Sequence, residues 1–376
     1  MIDAEIAIIS SHLGHVRGGA EINDLKLGRE FERLGSEVTY VTQRDETRSP
    51  ITIDRPVRIV ENRYWYQHSY NLFEPAGKIL RHINEEVFRW RIWQEHEEFL
   101  RECDLVLTTG RPLLAKLSDD ISGTLLYAVR GKVNPLYHRY LRSADGLIFW
   151  GGCESEYDDR SILDLPRVML DPAVDTGSFY PSSVSKKFSS DLRDGDPDTE
   201  LLTFVGRLEP VKRVDRIIRA VSRLESDYNL KFQVIGAGSQ RNDLEILADD
   251  QTSGETVKFL GRVPREDIPR YLNASDLFVM ASEMENHPIA LKEAAMCGTF
   301  CVAPDIGRIG EILDDDIGYT YTNNTTEGLT EGLRTVLESE AYRRAPRDQR
   351  AKTYNDWQAN AEAILELYAR IQDGKP

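Results

Sequence analysis

The sequence predicts an α/β protein of two Rossmann-like, doubly wound parallel domains, and three observations carry that prediction. Short apolar runs alternate with amphipathic stretches along all 376 residues, the pattern of strands joined by crossover helices. The alternation is interrupted by the polar, Ser-rich stretch 182–199, and then restarts. Glycines sit where several of the runs hand over to a helix, as doubly wound ligand-binding turns require.

Taken in order, residues 5–10 read as a buried strand and 20–34 as a helix stopped by Gly35. Further strands are expected at 37–42, 104–108, 124–128, 146–150 and 167–170. After the polar stretch, strands are expected at 201–205, 232–235, 257–260, 277–280 and 300–303. The expected domains are 1–180 and 181–355, with a cleft at the C-terminal strand ends. Residues 356–376 read as an amphipathic closing helix that can pack back toward the first domain.

Composition narrows the function classes. A net charge of −16 argues against nucleic acid as a partner, because phosphate neutralisation needs basic clusters. Of 47 basic residues 12 are Lys and 35 Arg, an acid-rich, Lys-poor balance that fits a halophilic source or a merely acidic protein. With no apolar run of transmembrane length and no signal-peptide pattern, the chain is expected to stay in the cytoplasm. Cys103, Cys153, Cys297 and Cys301 are scattered without a CxxC and read as buried thiols. The aromatic, Arg-rich stretch 64–93 can rest on the inner membrane face, grip a lipid-linked acceptor, or serve as core packing.

The candidate chemistry lies at strand ends. Gly206, Arg207 and Lys212 follow the strand 201–205, where a guanidinium and an ammonium around one loop can clamp a diphosphate. Glu285 and Glu293 flank a helix start in which Pro288 suits the first helical position, Asn286 or His287 the cap and Gly298 the stop. The N–H groups of Ile289, Ala290 and Leu291 would face anionic oxygens there. Carboxylates bind hydroxyls well and phosphates badly, so this grouping implies a sugar nucleotide. Gly236 and Gly238 form a tight turn that lets backbone approach a ligand; Arg241 stands where a dinucleotide fingerprint would need its third glycine. Gly18 and Gly19 precede the first helix and can approach a diphosphate, or form a plain turn. Asp194, Asp196 and Asp198 lie in a polar loop and read as solvated rather than metal-binding.

Together these motifs resemble the retaining glycosyltransferases of the two-Rossmann-domain (GT-B) type, family 4, glycosyl transferases group 1. Glu285 and Glu293 match its Glu-x7-Glu element, and Gly206 to Lys212 its phosphate loop. Gly18 to Glu21, Gly236 to Gly238 and Phe259 to Val263 fall in the expected order. The resemblance implies that Arg207 and Lys212 neutralise the diphosphate, Glu293 binds the ribose, and Glu285 with the following backbone meets the donor sugar. The backbone at Arg262 and Val263 would receive the base. It further implies retaining transfer to a hydroxyl acceptor, lipid-linked, polymeric or small, with no cofactor and no essential metal. The chain departs from the family at Asp171 to Asp175, at Gly307 and Arg308, and after the strand 124–128, where Arg130 stands as the acceptor-side polar group instead of a His. A catalytically silent sugar-nucleotide-binding partner and a sugar-nucleotide epimerase remain the alternatives.

Overall fold

The computed structural model describes residues 4–10, 13, 19–43, 56–60, 76–131, 133, 135–285, 288–352 and 354–374. The chain divides into two compact units, Met1–Pro172 with Trp357–Pro376, and Ala173–Asp356.

The first unit contains a seven-stranded parallel sheet: β1 (Glu5–Ile9), β2 (Glu37–Gln43), β3 (Val57–Val60), β4 (Leu105–Thr109), β5 (Thr124–Val129), β6 (Gly146–Trp150) and β7 (Arg167–Leu170). Its strand order is β3-β2-β1-β4-β5-β6-β7. β4, β5 and β6 are buried at every residue, which is why they read as unbroken apolar runs. Helices Gly19–Arg33 and Ala76–Glu102 fall in this unit, the second leaving helical geometry at His96. The helix Trp357–Gln372 also belongs here. It packs against Gly19–Arg33, while Asn360 donates to the Asp171 carbonyl at 2.9 Å and Gln372 to Thr124 at 2.7 Å.

The second unit holds β8 (Glu200–Val205), β9 (Leu230–Ile235), β10 (Val257–Gly261), β11 (Leu277–Val279), β12 (Phe300–Pro304) and β13 (Gly318–Tyr321), ordered β10-β9-β8-β11-β12-β13 and all parallel. Ile217, Ile218, Val221 and Leu224 of the helix Val214–Leu224 join Leu329, Leu333 and Val336 of Thr326–Ser339 in one core cluster. Each such fully buried aliphatic side chain contributes about 1.5–3 kcal/mol. A second cluster packs Ile268–Ala274 and Ile289–Met296 with Phe278, Met280 and Cys301.

The structure departs from the sequence reading in four places. The expected boundary at 180/181 lies inside the second unit, because Phe179 is buried in that unit's core. The stretch 182–199 is not a bare linker: it contains the helix Lys186–Leu192, capped by Ser185. β3 and β13 were not expected; both are four-residue edge strands, β3 half exposed and β13 built of Gly, Tyr and Thr, and neither gives an apolar run. Pro288 occupies the cap of Ile289–Met296 rather than its first turn.

Candidate active site

Both sheets reverse strand order beside their first strand, and crevices at the C-terminal ends of such reversals bind ligands. In the second unit the reversal lies between β8 and β11. β8 runs into Gly206, a short 3-10 turn Pro210–Lys212, and then the helix Val214–Leu224. β11 runs into the segment 280–285, and the helix Ile289–Met296 follows.

Hydrogen bonds stitch the two loops together. The Glu283 N–H donates to the Val211 carbonyl at 2.8 Å. Lys212 Nζ donates to Glu285 Oε1, which also receives the Ser282 hydroxyl at 3.0 Å. Asn324 holds the Ser282 carbonyl at 2.9 Å. Arg213 is left-handed (φ 49°, ψ 44°), and its guanidinium grips Asp215 through Nε and Nη2, both at 2.9 Å, while Nη1 reaches Glu283. Arg216 bonds Glu283 at 3.0 Å and Asn324 at 3.1 Å. Burial pushes the Asp215 carboxyl up, but the Arg213 hydrogen bonds and charge hold it below the ordinary range. Arg213, bonded by Asp215 and Glu283, stays protonated at any accessible pH. Arg207 is exposed and has no hydrogen bond or ion pair among the described residues.

Gly236 and Gly238 are needed for backbone, and the backbone they approach is the neighbouring turn. A Cβ on Gly236 (φ +146°) would lie 1.8 Å from the Gly206 carbonyl oxygen, and one on Gly238 2.3 Å from that of Leu208. Leu208 and Gln240 close this contact, donating to Ala237 and Leu208 carbonyls at 3.0 Å each. The tight-turn expectation thus has a structural cause within the fold. Glu209 accepts from the Ser239 hydroxyl at 2.7 Å, and this bond lowers its carboxyl below the usual value.

The Glu293 side chain is buried and accepts a hydrogen bond from Arg265 Nη2. Arg265 leaves β10 on the same loop as the exposed Arg262 and the half-buried Val263. Ile289 and Ala290 open the helix, and their N–H groups lack intrahelical acceptors. Leu291 differs from expectation, since its N–H donates to the Pro288 carbonyl at 3.2 Å. Asn286, His287 and Gly18 lie outside the described residues, and Gly19 is the first residue of its helix. Arg265, Arg213 and Ser282 were missed by sequence reasoning. The signal available for Arg265 was its position in the loop already singled out at Arg262.

In the first unit Arg130 follows β5 and pairs with the buried Asp24 of the helix Gly19–Arg33. Burial raises the Asp24 carboxyl, opposed by Arg130 and a hydrogen bond from Ser10. Tyr157 fixes the backbone beside Arg130, donating to the Gly131 carbonyl at 3.0 Å and accepting from the Val133 N–H at 2.9 Å. In the second unit Arg308 donates through Nε to Glu311 at 2.6 Å. Asp194 pairs with Lys231 at 2.6 Å, consistent with a solvated loop. All four cysteines are buried thiols, and burial pushes those of Cys103 and Cys297 to about 12. Among the described residues no helix is long and apolar enough to cross a membrane.

Residues 188–363 match the family model "Glycosyl transferases group 1". A D-inositol 3-phosphate glycosyltransferase of Kineococcus radiotolerans is 29% identical over 262 residues, 62% of this chain and 59% of the relative. The chain spans about half the length of the curated relatives it matches. Sucrose-phosphate synthase from Thermosynechococcus elongatus shares the fold with a TM-score of 0.77 and 18% identity, over 99% of this chain and 100% of that one. HepE of Anabaena, solved in complex with UDP-glucose, superposes with a TM-score of 0.64 and 17% identity, over 99% of each chain. The two doubly wound units are those of the GT-B fold.

Proposed function

We propose that this chain, whose residues 188–363 match the glycosyl transferases group 1 family model, moves a sugar from a nucleoside-diphosphate donor to a hydroxyl acceptor with retention and without an essential metal. The observation that carries this reading is the Lys212–Glu285 pair across the β8/β11 reversal. It sets a cation for phosphate and a carboxylate for hydroxyls side by side. Arg207, exposed on the same loop, supplies the second positive charge. As the bond from the anomeric carbon to the phosphate oxygen breaks, negative charge grows on that oxygen, where the two cations stabilise it. The acceptor oxygen bonds to the same face of the sugar and its proton passes to the departing diphosphate. Glu293 holds the ribose, and the backbone at Arg262 and Val263 the base.

HepE was solved with UDP-glucose, which makes uridine nucleotides the first donors to try. Arg130, held by Asp24, is the acceptor-side cation of the first unit. Ile83, Val87 and Trp90 are exposed at helical spacing on Ala76–Glu102, and this supports a lipid-linked acceptor met at the cytoplasmic membrane face. The test is Lys212→Ala: turnover falls by about two orders of magnitude or more, with the protein still folded by circular dichroism. Unchanged turnover would remove Lys212 from the mechanism.

A further inference from the structure

The carboxylate assigned to the ribose is already engaged in the free protein. Glu293 has 3% of its side chain exposed and is bonded by Arg265 Nη2, whose own side chain is 51% exposed. The Arg265 guanidinium carbon lies 5.3 Å from the centre of the Phe179 ring, so one aromatic face supports it while the other side meets solvent. A carboxylate this deeply buried costs several kcal/mol unless a cation compensates it. A ribose makes the opposite demand, because its two hydroxyls must reach the same carboxylate oxygens. With so little of Glu293 exposed, a diol gains access only if a covering group moves. Arg265 is bonded to that carboxylate and is itself half exposed.

We propose that Arg265 is a latch on the nucleotide site: it occupies Glu293 in the free protein and is displaced by the ribose, so that it sets donor affinity. This rests on the reading of Glu293 as the ribose ligand. The latch selects for ribose, since only a ligand that offers Glu293 hydroxyl donors replaces what the guanidinium gave. It also keeps the buried carboxylate compensated between turnovers. Binding is an exchange of partners, and its free energy is reduced by whatever the Arg265–Glu293 pair contributes to the free protein.

Isothermal titration of the full chain with UDP, GDP and ADP, using whichever binds the unmodified protein most tightly, tests the exchange. Arg265→Ala lowers Kd for that nucleotide about tenfold, because the competing cation is gone. Arg265→Gln, which keeps the bulk and drops the charge, shifts Kd in the same direction and guards against a folding defect in the smaller variant. In a Glu293→Gln background, Arg265→Ala changes Kd less than about twofold, which a general structural role of Arg265 would not produce. Unchanged or weaker binding in both Arg265 variants overturns the latch and leaves the donor-site reading standing. Absence of binding by the unmodified chain to all three nucleotides removes the donor-site reading, and the latch with it.

Discussion

Arg213 holds a left-handed backbone conformation (φ 49°) that costs a non-glycine residue about 1 kcal/mol or more, and its side-chain bonds show what offsets that strain. Its two bonds to Asp215 and the third to Glu283 tie the 206–213 turn to the loop after β11. Asp215 has a folded pKa below its ordinary 3.8. Its contribution to stability is therefore complete above that value and is lost as pH falls through the folded pKa. Asp215→Asn should cost about 1 kcal/mol at pH 7 in urea unfolding, and the gap should close below pH 3.8. A gap independent of pH would show that charge is not what Asp215 supplies. At this scale the sequence revealed the residue types at the loops and strand ends but not their pairings. Lys212 and Glu285 were singled out separately, the first from its place after a strand and the second from its loop before a helix, and their bond spans 73 positions. Arg265 on Glu293 and Asp24 under Arg130 were invisible, because which cation covers which buried carboxylate depends on side-chain placement rather than spacing.

Among the elements, the glycine turns and the central strands were the most legible, and two of the four edge strands were not. The Gly236-Ala237-Gly238 turn was expected to let backbone approach a ligand; the backbone it approaches in the structure is that of the 206–208 turn. Gly236→Ala would drive a methyl into the Gly206 carbonyl at a φ of +146°. It should lower stability by about 2 kcal/mol or more, read as a lower midpoint in urea. A loss below about 0.5 kcal/mol would mean that the two turns separate freely. Central strands such as β8 and β12 were legible because burial on both faces makes them continuously apolar. The edge strands β3 and β13 were not, since Arg58, Ile59 and the Tyr-rich 318–321 carry no such pattern. Gly298 (φ +68°) stops the helix Ile289–Met296 as its sequence implied, whereas Pro288 took the cap, its own backbone being extended (φ −69°, ψ 107°).

For the whole molecule, the alternation of strand and helix patterns gave two doubly wound units, and the comparisons with solved structures agree. The boundary was harder to read, because the most polar stretch is a surface excursion of the second unit while the crossing at Pro172/Ala173 is short and partly buried. An acidic chain of net charge −16 repels a nucleoside diphosphate at long range, so the proposed donor site relies on local cations at the β8 turn and on hydroxyl contacts to Glu285 and Glu293. The most direct measurement is a thermal-shift panel of UDP-, GDP- and ADP-sugars on the full chain. A ligand at 100 times its Kd stabilises the folded state by about 2.7 kcal/mol, a rise of several degrees. One nucleotide class should raise the melting temperature of the unmodified chain, with Lys212→Ala and Glu293→Ala each losing that rise while staying folded. A flat response to all three classes, or a rise that survives both substitutions, would contradict the proposed donor site.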